Sequence, residues 1–315
     1  MRALWYSAAG QAELRQERLP APGPDEVRVR TLWTALSRGT ERLVFEGRVP
    51  DAVADRMRAP AQGGAFSFPV KYGYCAVGET QDGTPVFALR PHQEAFNAPL
   101  AALCPLPAGL PPRRAVLAAN METALNALWD SGAGPGDRIA VVGGGVVGLF
   151  VAHLCAGLPG AEVLVIDRDP ARAATARALD LAFALPEEAE PEADIVFHAS
   201  ASAAGLALAL SLAGEEAAIV ELSWYGDAPV ASPLGLAFHA RRLRLVASQV
   251  GAVAASRRPR WSHRRRLLKA LDLLADPRLD ALLTEEIAFD ALPAALPRLL
   301  APGAPGLCTV IRYDG

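Results

Sequence analysis

The run RIAVVGGGVVGLF, residues 138–150, constrains the fold more than any other stretch of this chain. A strand-like apolar segment passes straight into glycines spaced GxGxxG, Gly143, Gly145 and Gly148, and then into an apolar helix-like segment. The spacing has a mechanical reading. Gly143 permits a tight turn after the strand, Gly145 leaves out a side chain where phosphates would approach, and Gly148 lets the helix pack close to the strand. The free N–H groups at the helix start, those of Val146 and Val147 among them, and the positive end of its dipole would face an anion. A glycine turn by itself is weak evidence, and its context decides. The next strand, VLVIDRDP, ends in Asp167, at about the separation where a carboxylate binds the hydroxyls of an adenosine ribose. A carboxylate there repels a 2′-phosphate and favours NAD; Arg168 beside it would pair with that phosphate, so NADP stays open.

The surrounding chain repeats the same alternation. From about Pro111 it reads as a helix ending at Gly132, a strand from Asp137 to Val142, and a helix from Val146 to Leu158. A strand Glu162–Ile166, a helix Pro170–Leu179, a strand Ala193–Ala199 and a helix Ala203–Leu212 follow, then strands Ala217–Ser223 and Leu243–Ser248. Alternation of this kind is the signature of a parallel sheet with helices on both faces. Such sheets bind ligands beyond the carboxyl ends of their strands, which places Ser200 and Ser223 among the expected cofactor contacts and His198, Trp224 and Tyr225 nearby. A lone histidine at that edge is also commonly a hydrogen-bonded core residue, and His92 in RPHQEAF carries the same ambiguity.

Residues 1 to about 110 differ in texture. Short β-like runs such as Glu26–Leu32 and Thr84–Leu89 are separated by Pro and Gly clusters, and Asp51–Phe68 shows no period and reads as a long loop. After Gly251 a basic stretch, RRPRWSHRRR, feeds a helix with Leu267, Leu268, Leu271 and Leu274 on one face, and a short strand and another helix close the chain. The expected division is a β-rich domain of residues 1–112 and 250–315 and a nucleotide domain of residues 113–249.

Composition narrows the function classes. A net charge of -3 gives no field to gather nucleic acid or an anionic membrane, and Arg257–Arg266 reads as the solvated start of a helix. No run approaches the roughly 18 apolar residues of a membrane span, and the N-terminal segment lacks the basic-then-apolar order of a secretory signal. A cytoplasmic protein with a small-molecule substrate is expected. The 4 cysteines, Cys75, Cys104, Cys155 and Cys308, form no CxxC pair and read as small core residues.

The pattern through both parts resembles the medium-chain dehydrogenase/reductase superfamily, which contains zinc alcohol dehydrogenases, polyol dehydrogenases and quinone reductases. The likeness rests on SRGTERLVFEGRVP (Ser37–Pro50), FPVKYGYCAVGE (Phe68–Glu79), ETALNAL (Glu122–Leu128), the glycine turn, and the tail LLTEEIAFDALPAAL. Within it, SRGTERLVFEGR and the Gly-Tyr of the second motif are similar to the bacteriochlorophyllide dehydrogenase branch. The resemblance implies an α/β protein with a GroES-like β-rich domain and a doubly wound Rossmann domain, pairing as a homodimer through an edge strand of the latter.

The resemblance also implies a catalytic zinc, and there the chain departs. The positions that hold Cys, His and a third Cys or acidic ligand in zinc members hold Ser37, Tyr74 and Ala119 here, and none is a good ligand. No run of four close cysteines for a structural zinc is present either, so no metal is expected. Some other group must then manage charge at the carbonyl or alkoxide. Tyr74 is the leading candidate, with Thr40 and Glu41 resembling the superfamily's hydroxyl and acidic pair. Glu122, a carboxylate in an apolar helix, is a candidate acid/base or the ion-pair partner of Lys71. The expected activity is zinc-independent hydride transfer between NAD(P) and an alcohol or ketone. A non-catalytic dinucleotide sensor or scaffold and a zinc-free quinone or enoyl reductase are the alternatives.

Overall fold

The computed structural model describes residues 1–314. In chain order the strands are β1 (Arg2–Ala8), β2 (Gln11–Gln16), β3 (Glu26–Ala35), β4 (Gly63–Gly64), β5 (Val70–Lys71), β6 (Ala76–Thr80), β7 (Pro85–Ala88), β8 (Ala95–Pro99), β9 (Cys104–Pro105), β10 (Arg138–Val142), β11 (Glu162–Ile166), β12 (Ala182–Ala184), β13 (Ala193–His198), β14 (Ala213–Glu221), β15 (Arg244–Ala247), β16 (Leu283–Ala288) and β17 (Cys308–Arg312). The helices are α1 (Arg38–Phe45), α2 (Asp51–Ala54), α3 (Pro112–Ala115), α4 (Ala118–Ser131), α5 (Val146–Ala156), α6 (Arg172–Ala178), α7 (Ala203–Leu212), α8 (His263–Leu273) and α9 (Leu292–Leu299). They fall into two compact units, Met1–Ala119 with the residues from Leu267 onward, and Asn120–Arg266. Both junctions lie later in the chain than residues 112 and 250, one inside α4 and one inside α8.

The first unit is β-rich. One sheet runs β2-β1-β5-β4, and a larger one runs β16-β17-β3-β6-β7-β9. Strand β3 is long enough to take two neighbours end to end along one edge: Glu26–Arg30 pairs with β8, and Trp33–Ala35 pairs with β17. Its core gathers Val29, Ala76, Val86, Ala88, Phe96, Ala98 and Leu103. The segment Asp51–Phe68, expected as a loop, contains α2 and β4. Its four-residue helix has no buried position and its strand is two glycines, so neither imprints a period on the sequence.

The second unit is one parallel sheet, in the order β12-β11-β10-β13-β14-β15. Its central strands are apolar on both faces because helices cover both; Val141, Val165, Val196 and Phe197 are wholly buried. Each such side chain contributes roughly 1.5–3 kcal/mol by leaving water. The expected single helix before Gly132 is two, α3 and α4, and Gly132 takes φ 74° just past the end of α4, the left-handed turn a glycine supplies there. All four cysteines are buried free thiols. Among the described residues no helix is long and apolar enough to cross a membrane.

Candidate functional site

In the second unit the glycine turn joins β10 to α5, and its three glycines have separable reasons. Gly143 has φ 116°, and a Cβ there would stand 2.8 Å from the backbone of Ala199 and Ser200. A Cβ on Gly148 would stand 1.9 Å from the carbonyl oxygen of Gly143, so only glycine lets α5 lie this close to the turn. A Cβ on Gly145 would meet nothing within 4 Å. Gly145 is the N-cap of α5 and offers no side-chain cap, and the first helical bond runs from Leu149 N–H back to its carbonyl at 2.9 Å. The amides of Val146, Val147 and Gly148 therefore have no acceptor inside the helix, and they share its positive end.

Asp167 stands at the end of β11, half-buried, with one carboxylate oxygen accepting Gly144 N–H at 2.7 Å and the other Asp169 N–H at 2.9 Å. Each oxygen keeps a lone pair for a further donor. Arg168 is exposed. Ser200 and Ser223, beyond β13 and β14, are already engaged: Ser223 Oγ accepts Ala201 N–H at 3.0 Å, and Ser200 Oγ lies 2.7 Å from His198 Nε2.

Glu122 is buried in α4 and pairs with Arg266, whose Nε donates to it at 3.0 Å. Lys71, the partner suggested by sequence, instead donates to Glu17 at 2.7 Å and lies over the Trp5 ring. Burial pushes the Glu122 carboxyl above its usual range while Arg266 pulls it back. Arg266 also donates to Asn126 and to the carbonyls of Val250 and Ala252, so a residue that sequence assigned to a solvated basic run is 1% exposed.

In the first unit Ser37 stands at the N-cap position of α1, and Thr40 and Glu41 lie in its first turns. Tyr74, half-buried, sits in the turn between β5 and β6 with its hydroxyl bonded to the side chains of Ser37 and Thr40. Burial drives the phenol well above its usual range, and the neighbouring Cys75 adds to this, while the Ser37 and Thr40 bonds oppose it. It therefore keeps its proton at neutral pH. Glu41 is wholly buried beneath this group and accepts Ser37 N–H at 2.7 Å, Tyr6 O–H at 2.9 Å and His92 at 3.0 Å. Because a carboxylate only accepts, His92 carries a proton on Nε2; its Nδ1 meets the Thr34 hydroxyl at 2.7 Å, and Thr34 meets Tyr313 O–H at 3.2 Å. Tyr6, Thr34 and Tyr313 were invisible in the sequence because they arrive from β1, β3 and the segment after β17, with no local pattern linking them.

A zinc ion needs three Cys, His or carboxylate donors. Ser37, Tyr74 and Ala119 offer a hydroxyl, a protonated phenol and a methyl, and among the described residues no group of three His, Cys, Asp or Glu side chains is placed to hold a metal. The donor set does not fit the ion.

No protein-family model matches the chain. Its structure matches those of a putative zinc-binding dehydrogenase from Sinorhizobium meliloti 1021 bound to NADP (TM-score 0.78, 18% identity, 99% of this chain and 98% of that one). It is also similar to a short chain alcohol dehydrogenase from Escherichia coli CFT073 complexed with NADH (TM-score 0.77, 16% identity, 99% of each chain). A third likeness is to galactitol-1-phosphate dehydrogenase from Escherichia coli (TM-score 0.79, 14% identity, 99% of this chain and all of that one). With a β-rich unit and a parallel-sheet unit each formed as described, the chain has the fold of the medium-chain dehydrogenases, a GroES-like domain and a Rossmann domain.

Proposed function

We propose that this chain is a zinc-independent, NAD(H)-dependent oxidoreductase of the cytoplasm that moves a hydride between nicotinamide and a secondary alcohol or ketone. The observation that carries the reading is the open space at Gly145, set at the uncapped start of α5 with the Asp167 carboxylate at the end of the next strand. Gly145, Val146 and Val147 would hold the diphosphate through their amides, Gly143 and Gly148 would keep the turn tight, and Asp167 would hold the adenosine ribose. The carboxylate favours NAD over NADP, against the pull of Arg168. When bound, the nicotinamide supplies or accepts the hydride. Tyr74 donates its proton to the developing alkoxide in reduction and takes it back in oxidation, and Ser37 and Thr40 orient that hydroxyl. Glu41 fixes the start of α1 on which they sit.

NADH at about 100 times its Kd should stabilise the protein by about 2.7 kcal/mol and raise its melting temperature by several degrees. No shift with NADH or NADPH at millimolar concentration would sink the reading. Substrate screening should pair secondary alcohols and ketones with bacteriochlorophyllide-type pigments, given the likeness of Ser37–Arg48. NADH binding with no turnover on any of them would favour a sensor. Tyr74→Phe should lower kcat about a hundredfold or more while leaving NADH affinity unchanged; wild-type kcat in that variant would remove Tyr74 from the chemistry.

The proposed homodimer uses the free edge of β15, the last strand of the parallel sheet. Leu245 on it and Leu236 before it are 42% and 71% exposed, apolar side chains that a paired edge would cover. Leu245→Lys should shift sedimentation from dimer to monomer, and a wild-type monomer at micromolar concentration would refute the pairing.

A further inference from the structure

The hydride reading leaves unused a cluster at the carboxyl ends of β13 and β14. His198 ends β13 with its side chain wholly buried. Its Nδ1 lies 2.7 Å from Glu221 Oε2 and its Nε2 lies 2.7 Å from Ser200 Oγ. Burial alone would raise the Glu221 carboxyl, but the hydrogen bond from His198, with the Ser223 bonds, holds it below its usual range. Glu221 is thus ionised at neutral pH and can only accept. It accepts hydrogen bonds from His198 Nδ1–H at 2.7 Å, Tyr225 O–H at 3.1 Å and Ser223 N–H at 2.7 Å.

With Nδ1 carrying the proton, the lone pair of a neutral His198 lies on Nε2 and faces Ser200. The serine hydroxyl donates there. Ser202 Oγ, 2.9 Å from Ser200 Oγ, already accepts Gly205 N–H at 3.0 Å and is left to donate to Ser200. Every proton in the chain of bonds then has one consistent direction, from Ser200 to His198 and from His198 to Glu221.

The backbone is arranged around this serine. Ser200 sits in the tight turn between β13 and α7, and the next residue, Ala201, has φ 50°, a left-handed conformation that non-glycine residues rarely adopt. A Cβ on Gly205 would stand 2.0 Å from Ser200 Oγ and 2.8 Å from His198 Nε2, so the absence of a side chain there makes the room in which the two meet. Ser200 itself is half-buried. The amides of Ala203 and Ala204 begin α7 without an acceptor inside the helix. A serine on a strained strand-to-helix turn, backed by a histidine that a carboxylate orients, is the arrangement that activates a hydroxyl for acyl transfer.

We infer that Ser200, His198 and Glu221 form a second reactive centre, with Ser200 a nucleophile towards activated carboxylic esters and organophosphorus electrophiles. Ser200 Oγ forms a bond to the ester carbonyl carbon as its proton passes to His198 Nε2. The bond to the leaving phenol breaks, and the phenol departs with that proton; with a fluorophosphonate the new bond is to phosphorus, the P–F bond breaks, and fluoride leaves with the proton. Water then attacks the acyl carbon as His198 Nε2 takes its proton, the bond from that carbon to Ser200 Oγ breaks, and His198 returns the proton to Ser200 Oγ as the acid leaves, so that the sum is ester plus water to acid plus alcohol.

The test is to treat the full chain, without added cofactor, with a fluorophosphonate probe and with p-nitrophenyl acetate. Intact-mass and peptide mapping locate the adduct, and p-nitrophenol release gives the rate. One adduct per chain, on Ser200, is expected. Ser200→Ala should lose it, and His198→Gln should slow both labelling and ester hydrolysis about a hundredfold or more. Melting temperatures of the variants separate loss of chemistry from loss of fold. No adduct on Ser200 of the wild-type protein overturns the inference, as does hydrolysis undiminished in Ser200→Ala or labelling indifferent to His198→Gln. Neither reagent needs a nicotinamide, so the result stands apart from the NADH experiments.

Discussion

Gly145→Ala should fold as the wild-type protein does and bind NADH at least about tenfold more weakly, while Gly148→Ala should lose about 3 kcal/mol of stability. The two differ by one methyl group in the same turn, and the difference lies in what that methyl meets. At position 145 it enters open space at the start of α5, where it meets no other atom and stands where a diphosphate would contact the Val146 and Val147 amides. At position 148 it would lie 1.9 Å from the Gly143 carbonyl, which is backbone and cannot swing aside. Prising α5 off the turn costs about 3 kcal/mol by analogy with overpacked cores, a large share of an ordinary domain's stability. Gly143→Ala should behave like Gly148→Ala, since φ 116° and the 2.8 Å approach to Ala199 both exclude a side chain. Calorimetric titration with NADH and thermal melts read the two effects separately. Unchanged NADH affinity in a well-folded Gly145→Ala would mean that the turn is a structural device and holds no cofactor.

That contrast also marks where the sequence was informative. The extents of β11 and α7 agree with the expected ones residue for residue, and β10, α5 and β13 differ only at their ends. Parallel strands buried on both faces are continuous apolar runs, and glycines or acidic residues punctuate them, so the information is local. Strand β17 is equally apolar but was missed: CTVIR follows a Pro- and Gly-rich segment and has no helix after it to set a rhythm. The buried polar groups were legible only as residue types. Glu41 and His92 are 51 positions apart, Thr34 and Tyr313 279 apart, and Glu122 and Arg266 144 apart. No periodicity carries such pairings; only the assembled sheet and helices do. Glu122 illustrates the loss. Its cost in an apolar helix was evident, yet the nearest plausible cation in the family motifs was Lys71, and the actual partner lay inside a run of arginines whose other members are mostly exposed.

Replacing that partner has the second large consequence. Arg266→Met should cost the second unit about 3–5 kcal/mol, because it leaves the Glu122 carboxylate buried without its cation and strips donors from Asn126 and from the carbonyls of Val250 and Ala252. The two losses can be told apart by pH. Glu122 already titrates above its ordinary value of 4.5, since burial outweighs the pull of Arg266; without Arg266 the gap widens. A carboxyl whose folded value exceeds its unfolded one favours the fold below the unfolded value and loses that contribution as pH rises through the folded one. The melting temperature of Arg266→Met should therefore fall relative to wild type as pH is raised from about 4.5 through the widened gap, while the missing donors cost the same at every pH. Adding Glu122→Leu should remove the pH-dependent part and restore much of the stability, since a well-packed apolar pair often equals a buried ion pair. If the double variant melts no higher than Arg266→Met, or if the single variant's deficit ignores pH, then Arg266 holds the 250–266 segment through the carbonyls and Asn126 alone, and Glu122 carries no charge for it to neutralise.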